Sequence, residues 1–146
     1  AVLTLARKAK FARPLVNSGR LSIPCIYDDG PLNGPDALEG GPAVTRVGAP
    51  MVDAPVDGAW LLGQFGGGFC LLTINTEAPE ILDFGGIPVS CVSVSAHDNP
   101  ELGERYLGAA KTAVYLIRPD QHVAARWDSF DETEVRKALH TAIGRT

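Results

Sequence analysis

Gly66-Gly67-Gly68, the pair His97-Asp98, two further histidines and three cysteines are the residues of this 146-residue chain whose types could do chemistry. A glycine run can cradle a phosphate on backbone N–H groups, but a Gly-x-Gly-x-x-Gly spacing fails at Leu71 and no Lys-Ser/Thr follows. The run therefore reads as a helix stop and tight turn before a strand. His97-Asp98 could be a base with its orienting carboxylate. Set just before Asn99-Pro100, it reads better as the capped start of a helix with Pro at its first position. His97, His122 and His140 lie on different segments, with no i,i+4 pair and no cysteine partner, so no metal site is expected. Cys25, Cys70 and Cys91 are odd in number and far apart, with no Cys-x-x-Cys. Cys70 and Cys91 sit in apolar runs, where a free thiol behaves as a small hydrophobe. No disulfide framework follows, and a reducing cytoplasm is the expected compartment. The acid pairs Asp28-Asp29 and Asp131-Glu132 read as a solvated turn and a helix start, and no Gly-x-Ser-x-Gly elbow exists. The residues alone give no catalytic, cofactor-binding or metal-binding group.

Composition bounds the rest. Apolar content of 45% and charged content of 21% are those of an ordinary globular domain, and no apolar run approaches the ~18 residues of a membrane helix. Residues 1–20 carry five bases and no acid, while the remainder carries all 17 acids against eight bases. The basic head reads as a solvated helix face meeting an acidic or polar surface. Its single aromatic, Phe11, and the acidic body argue against nucleic acid as a partner.

The elements that would position any site follow from pattern. Val2, Leu5, Ala9, Ala12 and Val16 recur at helical steps over residues 1–16, with Pro14 near the end. This uncapped helix looks cut from something longer. Residues 17–46 lose periodicity and carry turn signals at Asn17-Ser18-Gly19, Asp28-Asp29-Gly30-Pro31, Asn33-Gly34-Pro35 and Gly40-Gly41-Pro42, so they read as an extended linker over a surface. A compact domain is expected over 47–146. In it the pattern predicts a helix over 58–65 capped by Asp57 and burying Trp60, Leu61 and Phe65, a strand over 69–74, a helix over 76–84 closed by Gly85-Gly86, and an inner strand over 88–95. A helix from Pro100 to about Gly108 follows, then strands over 112–117 and 122–127. Between them Pro119 and Asp120 suit the centre of a tight turn, and Gln121 occupies a position that would favour a left-handed Gly. Last comes a helix over 131–143, with Asp131 and Glu134 at capping-box spacing and Gly144 at its end.

The order βαβαββα is that of the α/β thioredoxin-like fold, in which a parallel βαβ half precedes an antiparallel hairpin and a covering helix. In that fold a dithiol sits where the first strand meets its helix, its thiolate stabilised by the helix N-terminus. Here that place holds Asn75-Thr76-Glu77-Ala78-Pro79, with no cysteine. No proline occurs between Pro100 and Pro119, so the cis-proline of the redox members is missing as well. Thiol-disulfide activity is not expected.

Four segments resemble a known family: residues 5–22, with Phe11-Ala12-Arg13-Pro14 and Asn17-Ser18-Gly19; residues 47–56, with Gly48-Ala49-Pro50 and Asp53-Ala54-Pro55; residues 61–69, with Gly63-Gln64-Phe65 and the glycine run; and residues 115–127, with Arg118-Pro119-Asp120. Together the chain resembles the C-terminal part of FAD-dependent aromatic-ring hydroxylases of the phenol hydroxylase and 3-(3-hydroxyphenyl)propionate hydroxylase class. The resemblance implies a redox-dead thioredoxin-like domain that follows FAD and substrate domains through a long linker. It also implies a parent reaction in which NAD(P)H reduces the flavin and O₂ supplies the oxygen that enters a phenolic ring. The family's flavin motifs lie upstream, so no site residue carries over to this chain. The expected partners are the FAD and substrate domains of the same polypeptide and a second copy in a homodimer, with no nucleic acid and no membrane. A free-standing thioredoxin-like binding or adaptor module is the alternative, and a redox enzyme using Cys25, Cys70 or Cys91 singly is the third reading.

Overall fold

The computed structural model describes residues 24–145, so the helix expected over 1–16 lies outside the described residues. Among the described residues there are eight short strands: β1 (Asp36–Ala37), β2 (Pro55–Val56), β3 (Ala59–Trp60), β4 (Phe69–Ile74), β5 (Ile81–Asp83), β6 (Pro88–Val94), β7 (Ala113–Ile117) and β8 (Val123–Trp127). Six of them form one mixed sheet in the order β1-β8-β7-β4-β6-β5. β4 is parallel to β6 and antiparallel to β7; β7 and β8 make a hairpin, and β1 runs parallel to β8. The central strands are apolar on both faces because both faces are covered.

Alternation along the strands sorts the core into two layers. Cys70, Leu72, Ile74, Tyr115 and Ile117 face one side. There they meet Leu102 and Tyr106, together with Leu38, Val47, Met51, Ala54, Val56 and Leu61 from the N-terminal tract. Leu102 closes a short helix α1 (Pro100–Leu102), which continues as a π turn over Gly103–Leu107. Leu71, Val114 and Leu116 face the other side, under Val135, Ala138, Leu139 and Ala142 of α2 (Glu132–Ala142). The α2 start follows its sequence signal: one Asp131 carboxylate oxygen accepts the Thr133 and Glu134 N–H groups at 2.8 and 3.2 Å. Among the described residues no helix is long and apolar enough to cross a membrane.

Two expected helices are absent. Residues 58–65 instead complete the hairpin of β2 and β3 and then form a 3₁₀ turn, Leu61–Gln64. Asp57 (φ 49°) and Gly58 (φ 83°) are both left-handed, as a two-residue hairpin turn requires, so Asp57 is a turn residue rather than a cap. Trp60, expected in the core, is 61% exposed. Residues 76–84 form a loop and then β5, which pairs antiparallel with the start of β6. Pro79 interrupts the helical reading, and Ile81 and Asp83 outward against Leu82 and Phe84 inward is a period of two. The crossover between the parallel strands therefore contains no helix. Phe84 reaches α2 instead, with the Arg136 guanidinium 5.2 Å from its ring centroid.

The tract from residue 24 to 54 is knitted to the outer edge of β8. The Gly34 N–H donates to Ala124 (2.7 Å), Arg126 N–H to Pro35 (3.0 Å), Gly48 N–H to Val123 (2.8 Å), Val123 N–H to Ala49 (2.9 Å) and Met51 N–H to Gln121 (2.8 Å). An extra residue in β8, between the partners of Leu116 and Ile117, bulges the strand. Its place at Ala124 aims that carbonyl at Gly34. Gly48 is left-handed (φ 83°), and a Cβ there would lie 2.2 Å from the Tyr27 carbonyl oxygen, so the close pass of the tract demands glycine.

Gln121 also takes the left-handed conformation (φ 62°), as its place in the turn anticipates. A left-handed non-glycine residue costs roughly 1–2 kcal/mol, and glycine gives back about 0.5–1 in chain entropy. Gln121→Gly should therefore stabilise the fold by about 0.5–1 kcal/mol, read as a higher urea midpoint at unchanged slope. An unchanged or lower midpoint would show that the Gln121 side chain holds the turn.

Candidate functional site

At the C-terminal end of the parallel pair, where α/β sheets usually bind ligands, β4 runs into Asn75. Its backbone is left-handed (φ 56°), a conformation asparagine tolerates better than most residues. The Asn75 N–H donates to Val94 O at 3.0 Å, its Oδ1 accepts the Ala96 N–H at 2.9 Å, and its Nδ2 donates to Lys111 O at 3.0 Å. One side chain thus ties together the ends of β4 and β6 and the loop entering β7. Beside it Thr76, Glu77, Ser93 and Ser95 line an open cleft of about 330 Å³. The cleft offers hydroxyls, a carboxylate and an amide, and neither thiol nor imidazole, so its chemistry is hydrogen bonding.

The thiols lie elsewhere and apart. Cys70 belongs to the layer under Tyr106 and Cys91 to the layer under α2, so on adjacent strands they point to opposite faces of the sheet. No movement short of unravelling a strand would join them. Burial pushes the Cys70 thiol up to about 11 and raises Cys91 as well, which leaves both as neutral packing groups. Cys25 is exposed on the N-terminal tract.

The histidines do not converge. His97 is exposed in the turn before α1, and His140 is exposed on α2. His122 sits at the β7–β8 turn, its ring 5.2 Å from that of Tyr27 and its Nε2 3.0 Å from the Cys25 carbonyl oxygen. Among the described residues no three His, Cys, Asp or Glu side chains group as metal ligands. Asn99 occupies the cap position of α1, but its side chain makes no cap bond. Instead its Oδ1 accepts the Asp57 N–H (2.9 Å), and its Nδ2 donates to Asp57 Oδ1 and Ser95 O (3.0 Å each), pinning the β2–β3 turn.

Among the described residues the glycine run is not built to receive a flavin dinucleotide. Gly66, Gly67 and Gly68 are exposed and lead into β4, so no helix N-terminus stands behind them to receive a pyrophosphate. Another open cleft, of about 600 Å³, is lined by Glu39, Lys111 and Asp128, so its ionisable side chains are two acids and one base, an unfavourable lining for a diphosphate.

A buried polar network ties the N-terminal tract to the sheet. Arg126, 6% exposed within β8, donates from Nε to Asp36 Oδ1 (2.5 Å) and from a terminal nitrogen to Pro42 O (2.7 Å). Tyr115 donates to Tyr106 O (2.5 Å), and the two rings meet edge to face at 5.4 Å. The Tyr106 hydroxyl donates to Val52 O (2.5 Å) and accepts the Val52 N–H (2.9 Å). Thr45 donates to Arg105 O (2.9 Å), and Arg105 in turn donates to Asp53 O. Burial pushes both tyrosine hydroxyls up, so they remain neutral donors. Sequence reasoning passed over this network, although a lone arginine inside the apolar run of residues 123–127 was a signal for it.

No protein-family model matches the sequence, and no curated protein does. Solved structures of the rebeccamycin biosynthetic enzyme RebC match the fold. The substrate-free form aligns at TM-score 0.59 and 22% identity, over 98% of this chain and 26% of that one. The form with reduced flavin gives 0.61 and 24% over 98% and 27%, and a chromopyrrolic acid-soaked form with bound 7-carboxy-K252c gives 0.62 and 23% over the same shares. The chain thus spans about a quarter of the length of these enzymes, and the likeness is one of fold.

The geometry sets an order of thiol reactivity. A chromogenic disulfide at neutral pH should modify Cys25 in the native chain at once, Cys91 slowly, and Cys70 only on unfolding. In insulin reduction with a dithiol donor the chain should match the blank. Rapid native-state labelling of Cys70, or turnover lost in Cys70→Ser, would contradict this placement.

Proposed function

We propose that this chain is the C-terminal, thioredoxin-like accessory domain of an FAD-dependent monooxygenase that hydroxylates phenolic aromatics with NAD(P)H and O₂, and that it is itself non-catalytic. The observation that carries this reading is the alignment of nearly the whole chain with about a quarter of RebC, an enzyme also solved with reduced flavin. That proportion accords with a domain of a larger enzyme. The strand order β8-β7-β4-β6, with β4 parallel to β6, supports the thioredoxin-like assignment, although the helix between the parallel strands is replaced by β5. At the place of the dithiol, Asn75 fastens three segments together, which supports a structural role.

The FAD and substrate domains of the same polypeptide are the partners in this reading, and a cytoplasmic setting accords with three free thiols. A homodimer is part of it: the stripe Leu5, Ala9, Ala12 and Val16 is apolar, and burying a few such side chains against a second copy is worth a few kcal/mol.

The 146-residue chain should purify colourless, while the same chain extended upstream to the length of a flavoenzyme should carry FAD and oxidise NAD(P)H when given a phenolic substrate. Removing residues 1–20 should shift the light-scattering mass from dimer toward monomer with the fold retained. Stoichiometric flavin on the 146-residue chain, or an upstream sequence without a Gly-x-Gly-x-x-Gly after a strand, would overturn the reading.

A further inference from the structure

The surface built by residues 58–69 has features that nothing inside the domain explains. Trp60 stands 61% exposed on a hairpin that is firmly held. Asn99, 6% exposed, pins the turn through Asp57; the Leu61 N–H donates to Ala54 O (2.9 Å), and the Leu62 N–H to Asp53 Oδ1 (3.0 Å). Leu61 itself is fully buried, so the indole is held out in water by a rigid mount. Next to it Gly63, Gly66, Gly67 and Gly68 are exposed, and none has positive φ. A Cβ at any of the four would meet nothing within 4 Å. Neither conformation nor crowding within this domain calls for glycine at these positions. Phe65 and Phe69 flank them half-buried, and no charged residue occurs from 58 to 76 in a chain that is 21% charged.

We infer that this glycine-rich stretch headed by Trp60, uncharged along its own sequence, is where the domain docks on the preceding flavoprotein domain of its own polypeptide; the inference rests on the accessory-domain reading above. An exposed, preorganised tryptophan in an uncharged stretch is the composition of an interface core, and glycines let a facing surface approach the backbone closely. About three quarters of the matched enzymes lies outside the part this chain aligns with. A domain on the same chain meets this face at a high effective concentration. A permanently covered face can lack charge, whereas a face for transient partners needs solubility when free.

Hydrogen exchange measured on the full-length polypeptide and on the 146-residue chain tests the inference. Amides of residues 58–69 should exchange roughly tenfold or more slowly in the full-length protein, with β7 equally protected in both. Trp60→Ser, and separately Gly67→Glu, in the full-length protein should restore the faster exchange at 58–69 while β7 stays protected. Equal exchange in the two forms would overturn the inference, as would protection in the 146-residue chain that grows with its own concentration, which assigns the face to a second copy. An upstream sequence with no flavin-binding domain would instead remove the accessory reading, and the inference with it. That outcome is read from sequence and flavin content, independently of the exchange.

Discussion

A guanidinium buried inside a strand must be met by acceptors, because an unpaired buried charge is among the costliest defects a fold can carry. Arg126 creates that requirement in β8, and the N-terminal tract answers it with the Asp36 carboxylate and the Pro42 carbonyl. The pairing fixes where the tract lies. Once Asp36 is placed, Asp36–Ala37 falls into parallel register with Arg126 and Trp127, and the tract on either side can bond the rest of the β8 edge. Leu38, Val47 and Met51 then complete the layer over Tyr115 and Ile117. Asp36 remains 39% exposed at its side chain, so the pair is best regarded as a register lock, with most of the stabilisation coming from the apolar groups it brings into place.

The opposite edge of the sheet is built differently. With β8 covered by its own chain, the remaining edge is β5, three residues long and led in by Pro79, a short edge that resists pairing with other chains. β5 takes the place of a crossover helix and sends Phe84 to α2. The end of β4 therefore faces no helix N-terminus, and Asn75 bonds the neighbouring segments together there.

Much of this was legible in the sequence, and the failures have specific causes. The apolar runs of β4, β6, β7 and β8 and the capped α2 emerge within a residue or two of their sequence-based limits. Gln121 stands where the turn favours glycine, and it is left-handed. Asp57-Gly58 is ambiguous locally, since an aspartate before a short apolar run suits both a cap and a hairpin turn; the turn prevails because Leu61 and Val56 share one core layer. The strand at Ile81–Asp83 lies inside the stretch 76–84 expected as a short helix, where Pro79 is the signal against one. The polar network was illegible for a deeper reason. Asp36, Thr45, Tyr106, Tyr115 and Arg126 span 90 positions, and no local pattern relates a linker-like tract rich in Pro and Gly to the strand it will cover.

The central claim is that the tract from residue 24 onward belongs to the folded unit, held there by Arg126. Urea unfolding of two fragments, 24–146 and 47–146, tests it most directly. The account predicts one cooperative transition for 24–146. For 47–146, which keeps the Gly48, Ala49 and Met51 bonds but loses Gly34, Pro35, Asp36 and Leu38, it predicts a clearly lower midpoint or no cooperative transition at all. Equal midpoints and slopes for the two fragments would contradict it and make the tract a passive linker.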